Sequence, residues 1–525
     1  MIKLLKVLFW ASCGMLVACH NPPSSTEADT DFTTINLRQA SVTGVVKNDL
    51  IEFRGIPYAA APVGDLRWRA PQPAPALPAH FVADTYGSQC YQAPRMQGWP
   101  KEQDFATSES EDCLYLNIYR PNTQADQLPV MVWIHGGGLT SGSGSRAVSW
   151  GGNLANQDVL VVSFNYRLGR LGFFAHPQLS EQNPDDGLLY NYGIMDQLAL
   201  LKWVQQHIAQ FGGDPNRVTI FGESAGAASV MALMATPLAD GLFNRAISQS
   251  GYGLRMMQTL ASQSKDPADG VEQIGVDIAR QLNHTQATLA ELRATPPEAI
   301  IGATDYTQFI QLAVDGTMFT DTLAQIYAQG RQIKVPMIVG TTDAESVFGT
   351  SQLEVLRGYM SDDTLTKMTP YYDDEATRNL FMLSDFSFHS QARALVNTLA
   401  KQQVPVYSYR FSMPGKYSTR RMLNGEVNYG ALHAGDVPYT FGNFLGEQAD
   451  PVAPDAMQKQ VASQMINYWT NFAKNGHPNA PALPKWPQAK EGVVMQFSPL
   501  GSQARPDSWI DRLDYLNELT GLTRQ

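Results

Sequence analysis

The sequence predicts an α/β protein: a mostly parallel, twisted sheet with helices on both faces and helical insertions capping the site. Three observations point there. Short apolar runs near 130–134, 159–165, 217–221, 335–340 and 406–411 read as buried strands. Between 194 and 210, Ile194, Leu198, Leu201, Val204 and Ile208 recur at helical spacing and give one apolar face. Strand and helix patterns alternate along the chain, as crossover connections in a parallel sheet require. Residues 255–330 and 350–400 carry helical patterning with little strand character and read as the insertions. Residues 39–525 are accordingly one domain.

With 525 residues, 44% of them hydrophobic and 17% charged, the chain can bury a large core. Its net charge of −11 argues against nucleic acid as a partner. The N-terminus stands apart. Residues 1–18 place Lys3 and Lys6 before an apolar run and small residues, the layout of a secretory signal. That run ends in Leu16-Val17-Ala18-Cys19, which resembles a bacterial lipobox, so Cys19 is the expected lipidation site. Residues 19–38, polar and Pro-bearing, then read as a flexible tether. The expectation is an exported bacterial lipoprotein anchored in a membrane; His20 after the cysteine favours the outer membrane of a Gram-negative host. Of four cysteines, Cys13 leaves with the signal and Cys19 carries lipid. Cys90 and Cys113 remain, a pair in an oxidising compartment whose disulfide would contribute about 3 kcal/mol.

The motif "RVTIFGESAGAASVMALMA" (217–235) runs from a strand into a small-residue helix with Ser224 at the joint. Gly222-Glu223-Ser224-Ala225-Gly226 fits the elbow that lifts a nucleophilic serine above a sheet, and the glycines are expected to permit its sharp turn. Upstream, a strand leads into His135-Gly136-Gly137-Gly138, a loop whose bare N–H groups suit an oxyanion hole together with that of Ala225. Leu139 follows the glycines. A third strand ends in "GTTDAES", which offers two acids, Asp343 and Glu345; for the other of the two the role is loop solvation. Candidate bases are His433 on a loop, His389 at an apparent helix start and His477 in a turn. No H-E-x-x-H, cysteine cluster, Walker loop or strand-borne G-x-G-x-x-G is present, so no metal or cofactor is implied.

These motifs, taken in order, resemble the type-B carboxylesterases, α/β-hydrolases that include bacterial para-nitrobenzyl esterases, carboxylesterases and cholinesterases. "FRGIPYAAAPVGDLRWRAPQP", "SEDCLYLNIYRP", the elbow segment and "YWTNFAKNGHPN" carry the resemblance from about residue 40 to the C-terminus. It implies a small-molecule ester as substrate and selects among the open choices. The family acid, five residues beyond the glycine that ends its strand, falls on Glu345 counted from Gly340, with Ser346 where glycine is usual. The family histidine falls on His433 and the oxyanion donors on Gly137, Gly138 and Ala225. The resemblance also supports the Cys90–Cys113 pair. A lipase, an amidase with the same triad, or a non-catalytic binding protein on this fold are the rival readings.

Overall fold

The computed structural model describes residues 32–93, 104–255, 257–260, 270–282, 288–304, 310–346, 352–414, 430–445 and 451–522. The signal segment, Cys13 and Cys19 lie outside the described residues.

The central sheet has eleven strands among the described residues: β1 Val45–Lys47, β2 Leu50–Pro57, β3 Tyr115–Pro121, β4 Leu128–Ile134, β5 Leu160–Phe164, β6 Gly213–Glu223, β7 Arg245–Gln249, β8 Met337–Thr342, β9 Val406–Phe411, β10 Val493–Ser498 and β11 Gly501–Pro506. Their spatial order is 1-2-3-5-4-6-7-8-9-10-11. The run from β5 and β4 to β10 is parallel, while the pairs at both edges are antiparallel. Parallel strands covered on both faces should be apolar throughout, and β4 is buried at every residue. Val130, Val132 and Ile134 feed one core layer, with Val218, Ile220 and Val339; Met131 and Trp133 feed the opposite layer, with Phe221, Ile338 and Trp469. One sheet thus separates two cores, as side-chain alternation along a strand dictates.

The helix Tyr192–His207 (α1) and the wholly buried Ala225–Ala235 (α2) pack on the first layer. The second insertion contains a helical run in three parts: Glu375–Ser384 (α3), a π-helical turn Asp385–His389, and Ser390–Lys401 (α4). A long helix, Ala456–Asn475 (α5), covers the second layer.

Two expectations need correction. Residues before 39 are not all tether: Thr34–Leu37 pairs antiparallel with Ala40–Thr43, and Ile35 and Leu37 are buried. Phe32 is buried too, its ring 3.6 Å from the Arg120 guanidinium, so the folded part begins at least there. His389 is not a helix start either. It closes the π-helical turn inside a continuous helical run and is buried.

A disulfide joins Cys90 and Cys113, both buried. The loop it closes braces the glycine loop. The Gln92 side chain accepts from the Gly142 N–H and donates to the Gly142 carbonyl, and the Asp104 carboxylate accepts from the Ser143 and Ser145 hydroxyls.

Candidate active site

Because β4, β6 and β8 are parallel and adjacent or nearly so, their C-terminal ends share one edge of the sheet, where open α/β sheets place their chemistry. The site is assembled there from four segments.

At the end of β6, Ser224 takes φ 58° and ψ −122°, a conformation only glycine adopts readily, costing on the order of 1–3 kcal/mol. Its N–H donates to the Gln249 carbonyl at 2.9 Å, and its carbonyl accepts from Ala228 at 2.9 Å, so both sides of the turn are pinned. The flanking glycines do something other than expected. Neither Gly222 nor Gly226 has a positive φ; the serine itself carries the strain. A Cβ on Gly226 would lie 2.0 Å from the Ile134 carbonyl oxygen, and one on Gly222 would lie 2.6 Å from Gly226 backbone atoms. Their absent side chains let the elbow sit directly on the end of β4.

The glycine loop leaves that same strand end. A Cβ on Gly136 would meet the Ser224 Cβ at 3.0 Å, so the loop passes against the serine. Gly137 and Gly138 have φ 113° and 65°. The Gly137 carbonyl accepts from the N–H groups of Thr140 and Ser141, both at 3.0 Å, and from both hydroxyls. That carbonyl shares its peptide with the Gly138 N–H, so fixing one orients the other oppositely. The Gly136 carbonyl, which shares its peptide with the Gly137 N–H, is bonded by the His135 ring at 2.9 Å. Burial pushes His135 down to about 3, so the ring is neutral; it stacks on Tyr166 at 4.3 Å. Leu139 is buried in the core with φ 61°.

Glu345 and His433 complete the line. His433 Nε2 lies 2.7 Å from Ser224 Oγ, and Nδ1 lies 2.5 Å from Glu345 Oε2. With a carboxylate on Nδ1, the ring proton sits there and Nε2 is free to accept from the serine hydroxyl. Ser224 is 8% exposed and Glu345 is 0% exposed, so the acid is sealed beneath a serine that still reaches solvent. Burial alone would raise Glu345, but its hydrogen bond and electrostatic interaction with the His433 ring outweigh it and hold the carboxyl below its ordinary value. Its second oxygen accepts the Thr342 N–H at 2.8 Å.

Asp343 is placed differently from a solvated loop residue. Its carboxylate accepts the Ala431 N–H at 2.6 Å, while the Ala344 N–H donates to the Ala431 carbonyl at 3.0 Å. It therefore ties the acid's turn to the histidine's loop, and burial raises its carboxyl. His477 is exposed in a turn after α5, outside this cluster.

Comparison with known proteins gives the family. The carboxylesterase family model matches residues 31–368 and 352–505. The chain belongs to the carboxylesterase family. A fumonisin B1 esterase of Sphingopyxis macrogoltabida is 35% identical over 507 residues, covering 92% of this chain and 88% of that one. A para-nitrobenzyl esterase of Bacillus subtilis is 33% identical, covering 87% and 92%. A solved PNB esterase superimposes with a TM-score of 0.78 at 29% identity, over 92% of this chain and 99% of its own. The fold is the α/β-hydrolase fold, and this carboxylesterase is a carboxylic ester hydrolase.

Two features of the site went unread in the sequence. The Glu223 carboxylate, buried beside Ser224, has Oε1 3.2 Å from His433 Nε2. A carboxylate at the end of the strand's buried stretch, next to Ser224, was the available signal. The Phe388 ring packs 4.7 Å from that of His433, reaching it from the π-helical turn, which no periodicity announces. Among the described residues, no cluster of three or more His, Cys, Asp or Glu is placed to hold a metal ion.

Proposed function

We propose that this carboxylesterase cleaves small-molecule carboxylic esters through an acyl-enzyme on Ser224. The observation that carries the reading is the continuous hydrogen-bond line from Ser224 through His433 to Glu345, with the glycine loop against the serine. His433 takes the hydroxyl proton as Ser224 attacks the ester carbonyl. Glu345 holds the ring in the tautomer this requires and stabilises the imidazolium that forms. The N–H groups of Gly137, Gly138 and Ala225 bind the developing oxyanion, worth about 3–4 kcal/mol for a single donor. His433 then returns the proton to the leaving alcohol, and water releases the acid by the same route.

Ser224→Ala tests this. Turnover should fall to the residue that an oxyanion hole alone supports, and near wild-type activity in a folded variant would end the serine-esterase reading. A panel of short- and long-chain p-nitrophenyl esters, matched anilides and fumonisin B1 separates esterase from lipase and amidase. Fumonisin B1 belongs in it because the 35% identical relative is named for that ester. We infer further that Cys19 is lipidated and anchors the exported protein in a membrane, on the strength of the lipobox-like Leu16–Cys19 after an apolar segment. Cys19→Ser should release the protein from membranes or block its processing; unchanged membrane fractionation with normal processing rules the anchor out.

A further inference from the structure

The turn that carries Glu345 is gripped at both ends by one helical segment. On one side, the Ser346 N–H donates to Ser384 Oγ at 2.9 Å; on the other, His389 Nε2 lies 2.8 Å from the Thr342 carbonyl oxygen. Ser384 and His389 are five residues apart, which on an α-helix would put them on different faces. Here the π-helical turn intervenes, closed by the Ser390 N–H on the Asp385 carbonyl, an i→i+5 bond that stacks residues five apart.

His389 is buried, and both its nitrogens face acceptors. Nδ1 lies 2.7 Å from Asp385 Oδ1, and Nε2 faces a carbonyl oxygen that can only accept. Asp385 is an ionised acceptor: burial would raise it, but His389, Arg512 and Tyr372 hold it below its ordinary value. Both ring nitrogens must then donate. The ring also lies 4.9 Å from the indole of Trp509, which carries Arg410 at 3.5 Å and Arg512 at 4.5 Å, an aromatic surface already built for cations.

We propose that His389 is a positioning residue for the reaction: a buried imidazolium, held by Asp385, that with Ser384 clamps the Glu345 turn and lends it positive charge. The clamp acts through Thr342, whose carbonyl accepts a hydrogen bond from His389 and whose N–H donates to Glu345. The titratable and charged groups around His389 are Asp385, the neutral Tyr372, Arg512 and Arg410, with Asp343 and Glu345 on the clamped turn. The proposal rests on Glu345 being the acid of the triad.

The test compares His389→Phe, His389→Gln and Glu345→Gln in the whole enzyme on a p-nitrophenyl ester. His389→Phe should lower kcat about tenfold with KM within about twofold, as slight misplacement of a catalytic group does. The acid limb of kcat/KM should move to higher pH, because losing a nearby positive charge makes His433 easier to protonate. His389→Gln keeps a donor for Thr342 without the charge, so it should lose less kcat yet move the limb equally. A lowered Tm with kcat and the acid limb unchanged would overturn the clamp. In the wild type, ¹⁵N shifts of the histidine rings should show one, absent from His389→Gln, with both nitrogens protonated in the folded enzyme; a singly protonated ring there would overturn the clamp even if His389→Phe fails to fold. Full activity in Glu345→Gln would instead strike the triad assignment beneath the proposal.

Discussion

The two halves of this active site are held in different ways. The nucleophile half, Ser224 with the glycine loop, is backbone packed on backbone: Gly222 and Gly226 press on β4, Gly136 presses on Ser224, and the carbonyls of Gly136 and Gly137 are pinned locally. The acid–base half is held by side chains from distant segments. Glu345 leans on Thr342 and His433, Asp343 reaches Ala431, and Asp436 behind His433 accepts from Tyr409 and Gln249. A backbone joint tolerates almost no substitution, whereas a side-chain network can lose one member and keep its shape.

The largest effect should come from breaking the backbone joint. Gly226→Ala places its methyl 2.0 Å from a carbonyl oxygen that no rotamer change can move. Overpacking of this kind typically costs about 1–3 kcal/mol, and here it would also displace the elbow. Loss of nearly all esterase activity with a lowered Tm is expected; wild-type kinetics would show the joint to be looser than its contacts imply.

Next comes the acid. Glu345→Gln should leave Tm nearly unchanged and lower kcat by up to ~10⁴-fold, since an amide neither fixes the tautomer nor stabilises the imidazolium. Asp343→Asn should cost far less, because the amide oxygen can still accept from Ala431. The two variants assayed side by side sharpen the contrast: equal losses would mean that the network fails as a unit.

This division also explains what the sequence disclosed. The elbow and glycine loop are legible because close approach demands glycine at fixed spacing, so chemistry and sequence coincide over a dozen residues. The buried strands are legible because parallel strands covered on both faces are apolar throughout. The acid was ambiguous because Asp343 and Glu345 are both carboxylates at the end of one strand, and only the turn after Thr342 separates their directions. Family resemblance, not periodicity, selected Glu345 and His433. Glu223 and the π-helical turn stayed hidden because their meaning lies in contacts with segments distant in sequence, as in Glu223 with His433. The boundary at 39 failed for a simpler reason: Thr34–Leu37 is too short to show more than two apolar alternations.

Two smaller effects probe the supports. His135 is neutral and buried, with its proton affinity brought down from near 6.5 to about 3. Between those pH values the unfolded chain binds a proton that the folded one does not, so stability falls as pH falls, by about 1.4 kcal/mol per pH unit. His135→Gln should flatten that acid limb in urea unfolding at pH 7 and pH 5; an unchanged slope would place the acid sensitivity elsewhere. Reducing the Cys90–Cys113 disulfide should lower stability by about 3 kcal/mol. It should also reduce kcat, because the loop it closes braces Gly142, Ser143 and Ser145.

The central claim is that Ser224 is an activated nucleophile because His433 and Glu345 align on it. A fluorophosphonate reacts covalently with such a serine and reports it by mass. Wild-type protein should gain one adduct, located by peptide mapping on the segment containing Ser224, and His433→Ala should label far more slowly. An adduct on another residue, or equal labelling rates in wild type and His433→Ala, would contradict the account.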